Sequence, residues 1–177
     1  MEFIQLDATD IPFSNEFDVV GAFDVLEHID ADHRVILNVF KALRPGGLFF
    51  VTVPQYPWMW GHLDEIVHHK RRYSRRELTE KLIEAGFDVL FVSSFVTAVF
   101  PFMFASRLMD RALRSSTDTK QEFAAYVELP AWINTFFGAL MRIDETLIRA
   151  GFRLPFGGSL LAVAHRDGAA ADLDSTE

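Results

Sequence analysis

The sequence predicts an α/β fold in which strands pair in parallel across helical crossovers. Three observations predict it. The stretch Phe17 to Pro54 reads as strand, acidic loop, helix, stop signal and strand. A second alternation of helix and strand follows from Ser74 to Val96. Half of the 177 residues are apolar, enough for one domain with a substantial core.

Taken in order, Met1 to Leu6 is a short apolar strand candidate, closed by the polar loop Asp7 to Asp10 and Pro12. Phe17 to Phe23 is nearly continuous in apolar residues, the pattern of a strand buried on both faces of a parallel sheet. Asp30 or Asp32 is positioned to cap the next helix, whose apolar residues Ile36, Val39, Phe40 and Leu43 recur at helical spacing. Arg44 completes its last turn and Pro45-Gly46-Gly47 stops it. Leu48 to Val53 is then a second apolar strand, and the helical crossover forces the two strands parallel. Ser74-Arg75-Arg76-Glu77 reads as a capping box for a helix ending at Ala85, and Gly86 supplies its left-handed cap. Phe87 to Val96 returns as a strand. Two helices follow, at about 98–114 and 131–150, separated by the polar stretch Ser115 to Gln121. Ile133, Phe136, Phe137, Leu140, Ile143 and Leu147 make an apolar stripe on the second. Leu154 to Gly158 is a turn, Ser159 to His165 a last strand, and Asp167 to Glu177 a disordered tail.

The bulk composition narrows the function classes. A net charge of −8 disfavours nucleic acid, whose recognition needs a basic footprint. With no Cys there is no disulfide frame and no thiolate chemistry, which fits a reducing cytoplasm. Met1 to Asp10 lacks the basic start and apolar run of a secretory signal. The uncharged window Val89 to Ser106 approaches the length of a membrane span, but Pro101, Ser93-Ser94 and its β-branched and aromatic first half fit a strand followed by a helix. The 18 Phe imply either a thick core or apolar surface for a lipid, membrane or partner.

Ligands of an open α/β sheet bind beyond the carboxyl ends of its strands. Three polar clusters fall there: Asp7 to Asp10; Asp24, Glu27, His28 and Asp30; and Gln55 to Tyr73. Acidic residues before a helix are often mere caps, whereas Glu27 and His28 directly at a strand end read as facing a crevice. In the third cluster Tyr56, Trp58 and Trp60 suit an apolar or planar substrate, and Lys70, Arg71 and Arg72 an anionic group. The blander reading is a solvated basic patch with the tryptophans anchoring the loop. A metal set from His62, Asp64, His68 and His69 matches no known ligand spacing, so no metal is assigned.

DATDIPF, FDVVGAFDVLEHI, LRPGG and LFFVTVP, in that order, resemble the later motifs of class I S-adenosylmethionine-dependent methyltransferases. WGHLDEIVHHKRRYSRREL followed by AGFDV is similar to a bacterial subgroup of them. The resemblance covers about Phe3 to Arg166. It implies an α/β, Rossmann-like methyltransferase sheet with an antiparallel last strand and a helical insertion at about 98–156, within a partial domain spanning 1–166. It implies S-adenosylmethionine as cofactor. Asp7 and Ala8 match the motif that meets the adenine ring, and Asp24, Val25, Leu26, Glu27 and His28 the motif beside the sulfonium. His69 or His28 is the candidate base, and Tyr56, Trp60, Arg72 and Tyr73 are candidates for substrate positioning. The acceptor expected is a small molecule, lipid-linked or otherwise apolar because of the Phe-rich insertion.

The sequence also departs from the family. Its ten Gly include no GxGxG after a strand. The family's first two strands would precede Met1, so the domain reads as N-terminally truncated, with Phe17 to Phe23 left as an exposed sheet edge. Two further readings follow: an interaction or oligomerisation module pairing through that edge, and a peripheral membrane protein inserting Phe95 to Phe104.

Overall fold

The computed structural model describes residues 3–113 and 130–168. The elements run β1 (Phe17–Phe23), α1 (Asp32–Ala42), β2 (Leu43–Pro54), α2 (His62–Ile66), α3 (Arg75–Glu84), β3 (Phe87–Phe95), α4 (Phe100–Leu113), α5 (Ala131–Arg149) and β4 (Ser159–Arg166). Single 3-10 turns lie at Leu26–His28 and Pro57–Met59. The strands form one sheet in the order β1-β2-β4-β3. β1 pairs parallel to β2, while β4 inserts antiparallel between β2 and β3. The βαβ crossover is as the residue pattern predicts, and the antiparallel last strand is as the resemblance implies.

One face of the sheet holds the core. Phe49, Val51 and Val53 alternate along β2 with Leu160, Ala162 and Ala164 on β4, and all six are fully buried. Against them α1 lays Val35, Ile36 and Val39, and α3 lays Leu78 and Leu82. Gly86, at φ +98°, closes α3 against α1: a Cβ there would sit 3.1 Å from the Phe40 ring. Ser74 Oγ accepts the Glu77 amide at 3.1 Å and starts α3 as predicted. Arg166 donates to the Phe40 and Lys41 carbonyls at the end of α1, satisfying groups a helix terminus leaves open.

The polar pair in the apolar window has a structural role. Ser93 and Ser94 are fully buried; Ser93 Oγ accepts the Leu154 amide, while Ser94 Oγ and the Leu154 carbonyl accept from Arg75. These bonds tie the return into β4 to β3. α4 and α5 occupy the stretch between β3 and β4. No helix among the described residues is long and apolar enough to cross a membrane. The polar segment 115–121 and nearly all of the tail, 169–177, lie outside the described residues.

Four expectations are corrected. Phe3 to Leu6 forms no strand and stays exposed, because no neighbouring strand among the described residues offers it a ladder. β1 is not buried on both faces: Ala22 packs into the core, but Val19 is 57% and Phe23 63% exposed on the open side. An apolar run reports what a strand could bury, not what covers it. The N-cap of α1 is Ala31 rather than Asp30 or Asp32; Asp32 instead opens the helix, and its Oδ1 accepts the His33 amide at 2.8 Å. Leu43 belongs to β2 rather than to the helix, pairing with Phe17 before Arg44 to Gly47 bulge out of the ladder.

Candidate functional site

β1 and β2 are parallel, so their carboxyl ends meet at one edge, and two of the predicted clusters leave from there. β1 ends at Asp24, held at φ +53°, a conformation Asp tolerates better than most residues. Its amide donates to the Thr52 carbonyl at 3.1 Å, and the Thr52 hydroxyl donates to its carboxylate at 3.2 Å. The turn after it buries Leu26 and Glu27 and leaves His28 exposed, with Val25 half-buried.

The second cluster follows β2. Tyr56 leaves the strand at φ +65°, and the loop returns through α2 until Tyr73 bridges back to Gln55. The Lys70 amide donates to the Glu27 carbonyl at 2.6 Å, stapling the two loops by their main chains. That staple brings His69 over Glu27.

Asp64 organises this loop. It is 1% exposed and accepts from the Gly61 amide at 2.9 Å, from His69 Nδ1 at 2.9 Å and from Arg72 Nε at 2.8 Å. Arg107 of α4 approaches it to 3.6 Å. Burial pulls the Asp64 carboxyl upward, but the bonds from His69, Arg72 and Gly61 and the Arg72 charge hold it below the ordinary range. Gly61 must be small here, since a Cβ would lie 2.7 Å from the Arg107 guanidinium.

With Nδ1 of His69 donating to Asp64, Nε2 is the nitrogen that carries the lone pair in the neutral ring, and it faces Glu27 Oε1 at 3.9 Å. Glu27 is fully buried, and neither carboxylate oxygen has a hydrogen-bond partner among the described residues. Burial drives its carboxyl up to about 7, opposed by its own backbone amide and by the Arg72 charge, while the Asp24 charge adds to the rise. The His28 ring packs edge-on to His69 at 4.8 Å. Glu27, His28 and His69, from two loops, thus converge on one point.

The remaining predicted residues are distributed differently. Asp7 is exposed in a turn, accepting the Thr9 amide and hydroxyl at 2.8 Å each, and Ala8 packs on the core edge. Arg72 spends its guanidinium on Asp64 and the Gln55 carbonyl. Tyr73 is fully buried, its hydroxyl donating to Asp32 Oδ2 at 2.7 Å. Asp32 also receives Lys81 at 2.7 Å and Arg71 at 3.3 Å, so it is a buried hub between α1 and α3. The structure therefore brings neither Arg72 nor Tyr73 polar atoms to the crevice. The anion-binding role considered for the basic run meets the same difficulty, since Lys70 and Arg71 pair with Asp30 and Asp32.

Trp60 is half-buried, while Tyr56 joins an aromatic wall through Trp58 at 5.0 Å and Phe100 at 5.6 Å. Trp58 reaches Phe104 and Phe100 reaches Phe156, so the insertion supplies half of the wall. An apolar groove between α5 and the open face of the sheet, lined by Thr52, Phe95, Met141, Ile148 and Leu161, shares Thr52 with Asp24. Of the metal set weighed from the sequence, His62 instead pairs with Glu65, and His68 is exposed. Asp64 was legible only as a member of that set; its signal was its position three residues after Gly61, at the start of a short helix. Arg107 carried no sequence signal.

A family model described as a methyltransferase domain matches residues 3–92. A Mycolicibacterium smegmatis protein named "Probable S-adenosylmethionine-dependent methyltransferase" is 38% identical over 74 residues, 41% of this chain and 29% of the relative. The mitochondrial ubiquinone biosynthesis O-methyltransferase of Candida albicans is 46% identical over 43 residues, 24% of this chain and 13% of that protein. The chain thus spans less than a third of the length of these curated relatives. Among solved structures, an S-adenosylmethionine-dependent methyltransferase from Mesorhizobium loti superposes with a TM-score of 0.53 at 15% identity, covering 91% of this chain and 68% of that one. The [4+2]-cyclase SpnF superposes with a TM-score of 0.54 at 22% identity, covering 94% and 57%. These structural likenesses concern the fold, and a cyclase among them illustrates that fold alone does not set the reaction.

Proposed function

The chain belongs to the methyltransferase domain family, and we propose that it carries the acceptor side of an S-adenosylmethionine-dependent methyl transfer. The observation that supports this reading most directly is the Asp64–His69–Glu27 line at the joined carboxyl ends of β1 and β2, where α/β sheets bind their ligands. Asp7 and Ala8 would meet the adenine ring and Asp24 the neighbourhood of the sulfonium; both acidic residues are exposed, which fits such a ligand. When bound, the cofactor supplies an electrophilic methyl group and leaves as a neutral thioether once the sulfur–carbon pair returns to sulfur.

The chain's own residues position the acceptor and remove its proton. An acceptor hydroxyl beside Glu27 gives its proton to His69 Nε2 as its oxygen bonds the methyl carbon. Asp64 holds the imidazole in the tautomer that can accept. His28, exposed and adjacent, borders the same position. Tyr56, Trp58 and Phe100 favour an acceptor with an apolar or planar body, and an oxygen acceptor is in keeping with the O-methylation in the Candida albicans relative's name.

Calorimetric titration with S-adenosylmethionine is expected to give saturable binding that Asp24→Ala weakens and His69→Ala leaves unchanged. His69→Ala is expected to lower turnover on a hydroxylated acceptor about a hundredfold or more. A chain that binds no cofactor, or a His69→Ala variant with full turnover, would overturn the proposal.

A further inference from the structure

We propose that Glu27, His28 and His69 form a binding site for a divalent first-row transition-metal cation. Each offers one donor atom, and these atoms lie within 4.8 Å of one another. Proximity alone would carry little, but three independent features point the same way.

The first is Glu27. Its side chain is fully buried with both oxygens lacking a hydrogen-bond partner among the described residues, a costly arrangement unless something else satisfies the carboxylate. The second is the state of the two imidazoles. His69 Nδ1 donates to Asp64 at 2.9 Å, and His28 Nδ1 lies 3.4 Å from the His68 carbonyl oxygen. His69 is thereby left with Nε2 as its ligand atom, the outer-sphere pattern that orients metal-ligating histidines, and the longer contact places the His28 ring. The third is the staple between the loops. The Lys70 amide bond to the Glu27 carbonyl fixes the spacing by main chain, so the convergence does not rest on flexible side chains.

The donor set selects the class of ion. Two imidazoles and one carboxylate suit zinc, iron, cobalt or manganese, whereas magnesium and calcium prefer oxygen-only shells. Glu27 Oε1 and His69 Nε2 are 3.9 Å apart. A tetrahedral ion with bonds of about 2.0–2.1 Å needs about 3.3 Å between donors, so the pair must close by roughly half an ångström. His28 is exposed, with its ring packed edge-on to His69, and completes the set from the first loop. Three protein donors leave coordination positions open for an external oxygen. If the methyl-transfer reading holds, that oxygen is the acceptor hydroxyl. A bound cation would then lower the pKa of that hydroxyl, in place of proton uptake by His69, whose lone pair it would occupy. Binding of the ion itself does not depend on that reading.

The test is titration of the untagged, metal-free chain with Co2+, followed by visible absorption, and with Zn2+, followed by calorimetry, both without cofactor. One ion per chain is expected. Glu27→Gln and His28→Ala should each weaken uptake at least tenfold. Asp64→Asn should weaken it about 10- to 100-fold by releasing His69. His33→Ala, on an exposed His of α1, should leave it unchanged. His28→Ala removes an exposed side chain, so its folding serves as the internal check, with circular dichroism compared to wild type. No saturable uptake by wild type, or uptake unaffected by Glu27→Gln and His28→Ala, would overturn the proposal while leaving the cofactor titration free to succeed.

Discussion

The most direct consequence of the site's electrostatics is that Glu27 weakens the fold at neutral pH. Its carboxyl rises from an ordinary 4.5 to about 7, chiefly through burial. A raised folded value means the stability is fully present below pH 4.5 and is lost as pH rises through about 7. At 1.36 kcal/mol per pH unit, moving the group from 4.5 to about 7 amounts to a penalty of about 3 kcal/mol at pH 8. At pH 5 the same linkage leaves less than about 1 kcal/mol. Glu27→Gln keeps the shape and removes the charge. Its amide has a desolvation cost of its own, but that cost does not change with pH. The measured quantity is therefore the difference between the variant's effects at pH 8 and pH 5, expected at about 2.5 kcal/mol in favour of the variant at pH 8. Urea unfolding with a chelator present reads it as a midpoint shift of about 0.8–2.5 M between the two conditions, for a slope near 1–3 kcal/mol/M. Asp32 and Asp64, both held below the ordinary 3.8, stay ionised across this window and do not confound it. A variant whose effect is the same at both pH values would show that Glu27 is not buried as an unpartnered carboxylate, and the reasoning about the site would fail with it.

Asp64→Asn removes the charge facing Arg72 and Arg107 and should destabilise by about 3–5 kcal/mol, the cost of an uncompensated buried cation, measured by the same unfolding assay. Tyr73→Phe deletes one bond to Asp32 while Lys81 and Arg71 remain, so a milder loss of about 1–2 kcal/mol is expected, with S-adenosylmethionine affinity unchanged. A larger effect of Tyr73→Phe on acceptor affinity than on stability would restore Tyr73 to the crevice.

The alternation of apolar runs and stop signals made β1, α1, β2, α3 and β3 legible, because each is a local pattern: an apolar period, a cap, a glycine. The motif Asp24 to His28 was legible for the same reason, as ionisable groups placed directly after a strand. What failed was everything that depends on a neighbour. Phe17 to Phe23 has the composition of a doubly buried strand, yet one face is open. Asp32 has the position of a cap and accepts the His33 amide, yet its charge is also used by Lys81 from α3 and by Arg71 and Tyr73 from the loop before it. Arg72 and Tyr73 have the chemistry of substrate ligands, yet their polar atoms close internal bonds.

The sequence by itself determined the order of elements, the parallel crossover and the carboxyl-end location of the site, since these follow from periodicity and chain connectivity. Tertiary structure alone decided which of the many polar residues in the second loop meet the first loop. Asp64, His69 and Glu27 lie far apart along the chain and meet because the Lys70 amide binds the Glu27 carbonyl. Arg107 arrives from a helix that the sequence places beyond another strand. Charges pair by distance in space rather than in sequence, and a carboxylate left buried beside a free imidazole nitrogen is a property no single segment of the chain can display.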